Sequence, residues 1–129
     1  MDQERKFIAD QLEARKKKDG YLLVARVDGK IAGTSHAKRE RGKERNNISL
    51  GIALAKRYRG IGLGEALLAM NIAIARKMKP KNIFLSTFAA NARAVGLYKK
   101  LGFRKFAVFP KWILHNGKYI DSVLMKLER

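Results

Sequence analysis

Apolar residues along the chain change their period several times, and each change marks an element. In the opening eighteen residues Phe7, Ile8 and Leu12 fall on one side of a helical wheel, Asp2 stands where an N-cap would, and lysines crowd the end before Gly20. That order of charges suits a helix dipole, and the spacing predicts a helix over residues 2–18. "YLLVARV" (21–27) and "IAGTSHAKRE" (31–40) are β-prone runs around Val27-Asp28-Gly29-Lys30, and Asp-Gly between such runs predicts a hairpin. "ISLGIALA" (48–55) is almost wholly apolar and reads as a strand covered on both faces. Leu63, Leu67, Met70, Ile74 and Met78 then recur at spacings of three and four, one stripe of a helix that Pro80 must stop.

"NIFLSTF" (82–88) is the next strand. Asn91 can cap a second helix through "ARAVGLYKKL" to Gly102, and "FRKFAVFPKWILH" and "KYIDSVLMKL" close the chain as a hairpin on Asn116-Gly117. Strand, glycine turn, helix, strand is a βαβ crossover, which sets strand 48–55 parallel to strand 82–88 or splayed beside it. The expected class is α/β (α+β), with a mixed, mostly antiparallel central sheet and one single domain over residues 1–129.

Composition narrows the chemistry. There is no cysteine, so disulfides, thiolate metal sites and cysteine nucleophiles are excluded, and the isolated His36 and His115 argue against a histidine metal site. No stretch reaches the roughly 20 apolar residues of a membrane span, and "MDQERKFIAD" lacks the apolar core of a signal peptide, so a soluble cytoplasmic protein is expected. Against 11 acids stand 29 lysines and arginines, a net charge of +18, which favours anionic partners: nucleic acid, a ribosomal surface or a phosphate-rich cofactor. The runs "RKKK" (15–18) and "KRERGKER" (38–45) have no interleaved aromatics and read first as a solvated helix end and loop.

The glycine segment "YRGIGLGEALLAM" (58–70) loosens the backbone where a helix begins. The first N–H groups of a helix have no internal partners and carry the positive end of the dipole, so a bare backbone there lets an anion approach, phosphate above all. There is no G-x-x-x-x-G-K-[ST] and no complete G-x-G-x-x-G; Gly60, Gly62 and Gly64 alternate behind Arg59.

With that segment and "NARAVGLYKKLGF" (91–103) in view, the chain resembles the Gcn5-related N-acetyltransferase (GNAT) family. The family's acetyl-CoA signature is matched as Arg59-Gly60-Ile61-Gly62-Leu63-Gly64, and its second stretch supplies Asn91, Ala94, Leu97, Tyr98, Gly102 and Phe103. The resemblance runs over about residues 5–128, and "NGKYIDSVLMKL" looks like the closing strands of members that acetylate protein N-termini or small amines.

It implies acetyl transfer from acetyl-CoA to a primary amine in a ternary complex, without a metal. The amides of residues 59–64 would hold the pyrophosphate. The main chain of Ile52 and Leu54, on the splayed strand, would bond the acetyl carbonyl and pantetheine arm. Asn91 would bind pantetheine, or cap its helix, or both. Tyr98 would protonate the departing sulfur, and Lys99 and Lys100 would meet the 3′-phosphate or solvent.

Two departures accompany the resemblance. Where many members carry a glutamate on the strand before the glycine loop, this chain has Ser49; Glu44, His36, Asp121 or an ordered water chain are the substitutes, with water favoured. The usual first strand and helix are also missing, which predicts a bare edge on strand 21–27, an incomplete acceptor wall and a tendency to homodimerise. A basic module of the same fold that docks on nucleic acid or ribosome, with or without CoA, is the alternative, and a degenerate, inactive member is a third.

Overall fold

In the computed structural model, which describes residues 11–128, hairpins form where turn residues demand them. Asp28 and Gly29 both take positive φ (52° and 76°), as do Asn116 and Gly117 (51° and 76°), the backbone of the tight turns that match strand twist. The chain divides into two units, Met1–Lys81 and Asn82–Arg129.

In the first unit, β1 (Gln11–Lys17), β2 (Gly20–Val27), β3 (Lys30–Arg39) and β4 (Asn47–Leu54) lie side by side in chain order, each antiparallel to the next. A single 3-10 turn at Lys56–Tyr58 leads to α1 (Leu63–Lys77). In the second unit, β5 (Asn82–Phe88) is followed by α2 (Ala92–Lys100), β6 (Phe103–His115) and β7 (Lys118–Leu127), with β7 antiparallel to both β5 and β6. The whole is of the mixed α/β class.

The front of the chain differs from its helical reading. Residues 11–17 are strand, not helix, pairing Lys17 with Gly20 across the turn and Gln11 with Arg26 at the far end; residues 2–10 of the expected helix lie outside the described residues. Helix propensity is a weak prior that tertiary pairing overrides. Here β1 gains a ladder along β2 and a cross-strand pair, the Glu13 carboxylate accepting from Arg26 and Arg15 at 3.2 Å each. The expected bare edge of β2 is therefore covered by β1, and "RKKK" runs from the end of a strand into its turn rather than ending a helix.

The core of the first unit gathers Leu23, Ala25 and Val27 of β2 and Ala32 of β3 against Leu63 and Leu67 of α1. Burying each such leucine contributes about 1.5–3 kcal/mol. The buried stripe of α1 is rotated from the predicted one: Leu67, Leu68, Asn71, Ile72 and Ala75 are inside, while Met70 is 39% exposed. A polar residue turns the helix. Asn71 is fully buried, donates to Ser35 Oγ (2.7 Å) and to the His36 carbonyl (2.9 Å), and accepts from the Tyr21 hydroxyl at Oδ1 (2.5 Å). Ser35 passes the chain on, donating to the Gly51 carbonyl (2.8 Å).

On β4, Ile48 and Leu50 are buried, but Ser49 and Gly51 are half-exposed and Ala53 is exposed, so the strand is fully covered on one face only. On the second face the His36 ring lies over Gly51, where a Cβ would run into the imidazole. In the second unit Ile83, Leu85, Val95, Phe103, Val123 and Met125 are buried. Near the middle of β6 the ladder is interrupted: Lys111 takes φ 53°, its N–H donates to Asp121 Oδ1 (2.9 Å), and Trp112, 69% exposed, meets the Phe109 ring edge-on at 5.0 Å.

Asn71→Ala removes the three side-chain bonds that join α1 to β2 and β3, leaving the Tyr21 hydroxyl on the main-chain carbonyl of residue 71 (2.9 Å) and Ser35 on the Gly51 carbonyl, and urea unfolding followed by circular dichroism should show a loss of about 1–3 kcal/mol. Burial pushes the Tyr21 phenol up to about 12. The unfolded chain ionises first, near the ordinary value of about 10. This contribution is therefore complete below about pH 10 and is lost as pH rises toward the raised value, so Tyr21→Phe should flatten the alkaline unfolding curve.

Candidate functional site

The glycine loop is pinned on both sides. Ala55 N–H donates to the Ala32 carbonyl (2.8 Å), Tyr58 N–H to Ala55 (2.9 Å) and Arg59 N–H to Lys56 (3.2 Å). Tyr58 is buried in the core cluster, and Ile61 packs against it from the other side of Gly60. Between these anchors Gly60 and Gly62 take φ of 82° and 87°, a left-handed backbone that a side chain would strain by about 1–2 kcal/mol.

Gly62 is the N-cap of α1. Its carbonyl accepts the first helical bond from Ala66 N–H (3.1 Å), but no side chain caps the helix, so the donors of Leu63 and Gly64 are left to whatever lies in front of them. Lys56, Arg57 and Arg59 are exposed around the loop, Arg57 resting over the Tyr58 ring at 5.3 Å and Arg59 Nε reaching the Leu54 carbonyl at 3.4 Å. Bare amides, a positive dipole end and three cations stand together here, a combination whose chemistry suits a phosphate-bearing anion.

The register of β4 adds directed backbone groups. Glu40 N–H donates to the Asn47 carbonyl (2.9 Å) and Ala55 N–H to Ala32, so odd-numbered positions of β4 bond β3. Ile52 and Leu54 stand at even positions: their side chains pack toward the core cluster, while their own N–H and carbonyl groups point to the opposite edge of the strand. Ile52, Leu54 and residues 59–64 are thus gathered at one end of the first unit.

In the second unit Asn91 and Tyr98 lie at the two ends of α2. Asn91 Oδ1 accepts from Ala94 N–H (3.2 Å), so the cap is formed; the residue is exposed. The Tyr98 ring is 7% exposed, edge-on to Phe103 at 6.1 Å, and burial raises its phenol above the ordinary range. Among the described residues its hydroxyl has no hydrogen-bond partner, which leaves a protonated donor uncommitted. Lys99 and Lys100 are both exposed.

The suggested bases separate by environment. Glu44 sits exposed in the 3-10 turn Gly42–Glu44, Asp121 is engaged by Lys111 N–H, and His36 covers Gly51 on the open side of the sheet. Ser49 Oγ lies 3.4 Å from both the Lys38 carbonyl and Glu40 Oε2. Glu40 is a carboxylate that sequence reading missed; counting antiparallel register back from the β3–β4 loop brings it diagonally opposite Ser49. Among the described residues no group of histidine and acidic side chains could hold a metal, and no helix is long and apolar enough to cross a membrane.

The model of the acetyltransferase (GNAT) family matches residues 1–103, and the chain belongs to that family. It is 30% identical over 105 residues to the L-amino acid N-acetyltransferase AaaT of Escherichia coli (strain K12), covering 80% of this chain and 65% of that protein. To an N-alpha-acetyltransferase of Sulfurisphaera tokodaii it is 29% identical over 109 residues, covering 75% and 64%. The chain therefore spans slightly less than two thirds of the length of these relatives. The crystal structure of a ribosomal-protein-alanine N-acetyltransferase from Brucella melitensis superposes with a TM-score of 0.78 at 27% identity, over 83% of this chain and 67% of that one.

Asn91→Ala should lower stability by about 1 kcal/mol through loss of the cap, with Asn91→Ser recovering most of it in the same urea titration.

Proposed function

We propose that this chain is an N-acetyltransferase that takes acetyl groups from acetyl-CoA and passes them to the primary amine of an amino acid or a protein N-terminus. The observation that carries the reading is the uncapped start of α1, where Gly60 and Gly62 hold left-handed backbone at the positions of the family signature. Acetyl-CoA supplies an activated thioester on a long arm that ends in a pyrophosphate.

The residues divide the work. The amides of Gly60, Ile61, Gly62, Leu63 and Gly64 bind the pyrophosphate, with Arg59 adding charge at the rim. The outward main-chain groups of Ile52 and Leu54 hold the arm and the acetyl carbonyl, where an N–H stabilises the oxyanion that grows as the amine nitrogen attacks. The carbon–sulfur bond breaks and Tyr98 gives its proton to the sulfur; burial, which keeps the phenol neutral, keeps that proton available. The amine's own proton leaves through water, since β4 carries Ser49 rather than a carboxylate. The acceptor class is supported by the names of the relatives, which act on L-amino acids, on N-alpha amines and on a ribosomal-protein alanine.

Calorimetry should show acetyl-CoA binding at one site per chain, and Gly62→Val should abolish it. In a thiol-release assay against free amino acids and peptide N-termini, Tyr98→Phe should lower kcat by about 10²–10⁴ while the KM for acetyl-CoA changes little. Absence of acetyl-CoA binding by the unaltered chain sinks the reading; binding with no turnover on any amine leaves a CoA-binding module.

A further inference from the structure

The fold gathers cations that the sequence scatters. Three segments meet at the pole of the first unit opposite the glycine loop: the β1–β2 turn, the β3–β4 loop and the end of α1. Arg39 ties them together, its N–H donating to the Asp19 carbonyl (2.7 Å) and its guanidinium to the carbonyls of Arg45 (2.8 Å) and Met78 (2.7 Å). Arg41 pairs with Asp19 at 3.0 Å, and Lys81 N–H donates to the Asn46 carbonyl (2.6 Å).

On this frame Lys16, Lys17 and Lys18 come from the first segment and Lys43 and Arg45 from the second, all exposed. The end of α1 adds Arg76, Lys77 and Lys79, exposed as well. Of the three acids at the pole, Asp19 is taken by Arg41 and Glu40 touches Ser49, leaving Glu44 in its 3-10 turn. The pole is therefore cationic as a surface, although no single run accounts for it.

The cofactor reading does not explain this charge. The 15 residues of α1, at 1.5 Å each, set the pole about 22 Å from the glycine loop. Two features select the partner. Among the described residues of the three segments no large hydrophobic or aromatic side chain is exposed, so the segments offer neither a platform for stacking single-stranded bases nor an apolar residue to enter a membrane. Arg39 and Arg45 are held to backbone carbonyls and Arg41 to Asp19, so the segments that carry the lysines are fixed beside one another and can meet successive phosphates.

We propose that this pole docks on the phosphate backbone of a nucleic-acid duplex, without reading its sequence. The proposal is independent of acetyl transfer. Its test is fluorescence anisotropy of a labelled, mixed-sequence RNA duplex with the full chain. With four to six phosphates engaged, affinity should fall roughly 10²–10³-fold between about 50 and 200 mM salt. The K17E/K43E/K77E variant should bind at least about tenfold more weakly with a flatter salt slope. K30E/K56E/R57E, with the same change of net charge placed at the β2–β3 turn and beside the glycine loop of the same unit, should bind within about threefold of the unaltered chain. Circular dichroism of both variants should match the unaltered chain. Equal weakening by the two variants, or phosphatidylserine vesicles displacing the duplex, overturns the proposal.

Discussion

Asn71 is the residue on which the first unit turns. A buried amide has two donors and an acceptor to satisfy, and all are used: Ser35 and the His36 carbonyl on β3, and the Tyr21 hydroxyl on β2. Apolar packing alone would let α1 rotate or slide at small cost, because leucines are tolerant of one another's positions. A directed hydrogen-bond set is not tolerant; it fixes the helix in azimuth and along its axis. The same chain continues through Ser35 to the Gly51 carbonyl, so the interaction that seats α1 also grips the strand next to Ile52. The start of the helix and the outward backbone of β4 are two products of one constraint.

Most of the architecture was legible because its signals were local. Asp28-Gly29 and Asn116-Gly117 declare their turns, "NIFLSTF" is β5 residue for residue, and Asn91 and Gly102 bracket α2 as read. What escaped was non-local. The helix expected over residues 2–18 fails from Gln11 onward because β1 is stabilised by its partner strand and by Arg26, fifteen residues along. Met70 was read as core and is exposed because Asn71, polar by type, occupies the inside position.

The candidate site divides the same way. The glycine loop and Tyr98 were legible from their motifs, and the geometry adds what a motif lacks: Gly62 without a side-chain cap, the main-chain groups of Ile52 and Leu54 aimed away from β3, and a buried phenol with no hydrogen-bond partner among the described residues. Glu40 beside Ser49 was invisible, since it depends on the register across a loop. The charge, too, is a matter of gathering. Two runs that read as separate solvated segments lie beside each other and beside the end of α1, because Arg39 holds all three.

Trp112 gives the interrupted middle of β6 an optical consequence. It is the chain's single tryptophan and stands largely in solvent against Phe109. Intrinsic emission from this protein is thus a local signal of the final hairpin: it should lie toward the red while the chain is still native and shift to the blue when something settles over that hairpin. A change in colour would report contact at the hairpin, and a lack of change would say little about whether the rest of the chain is folded.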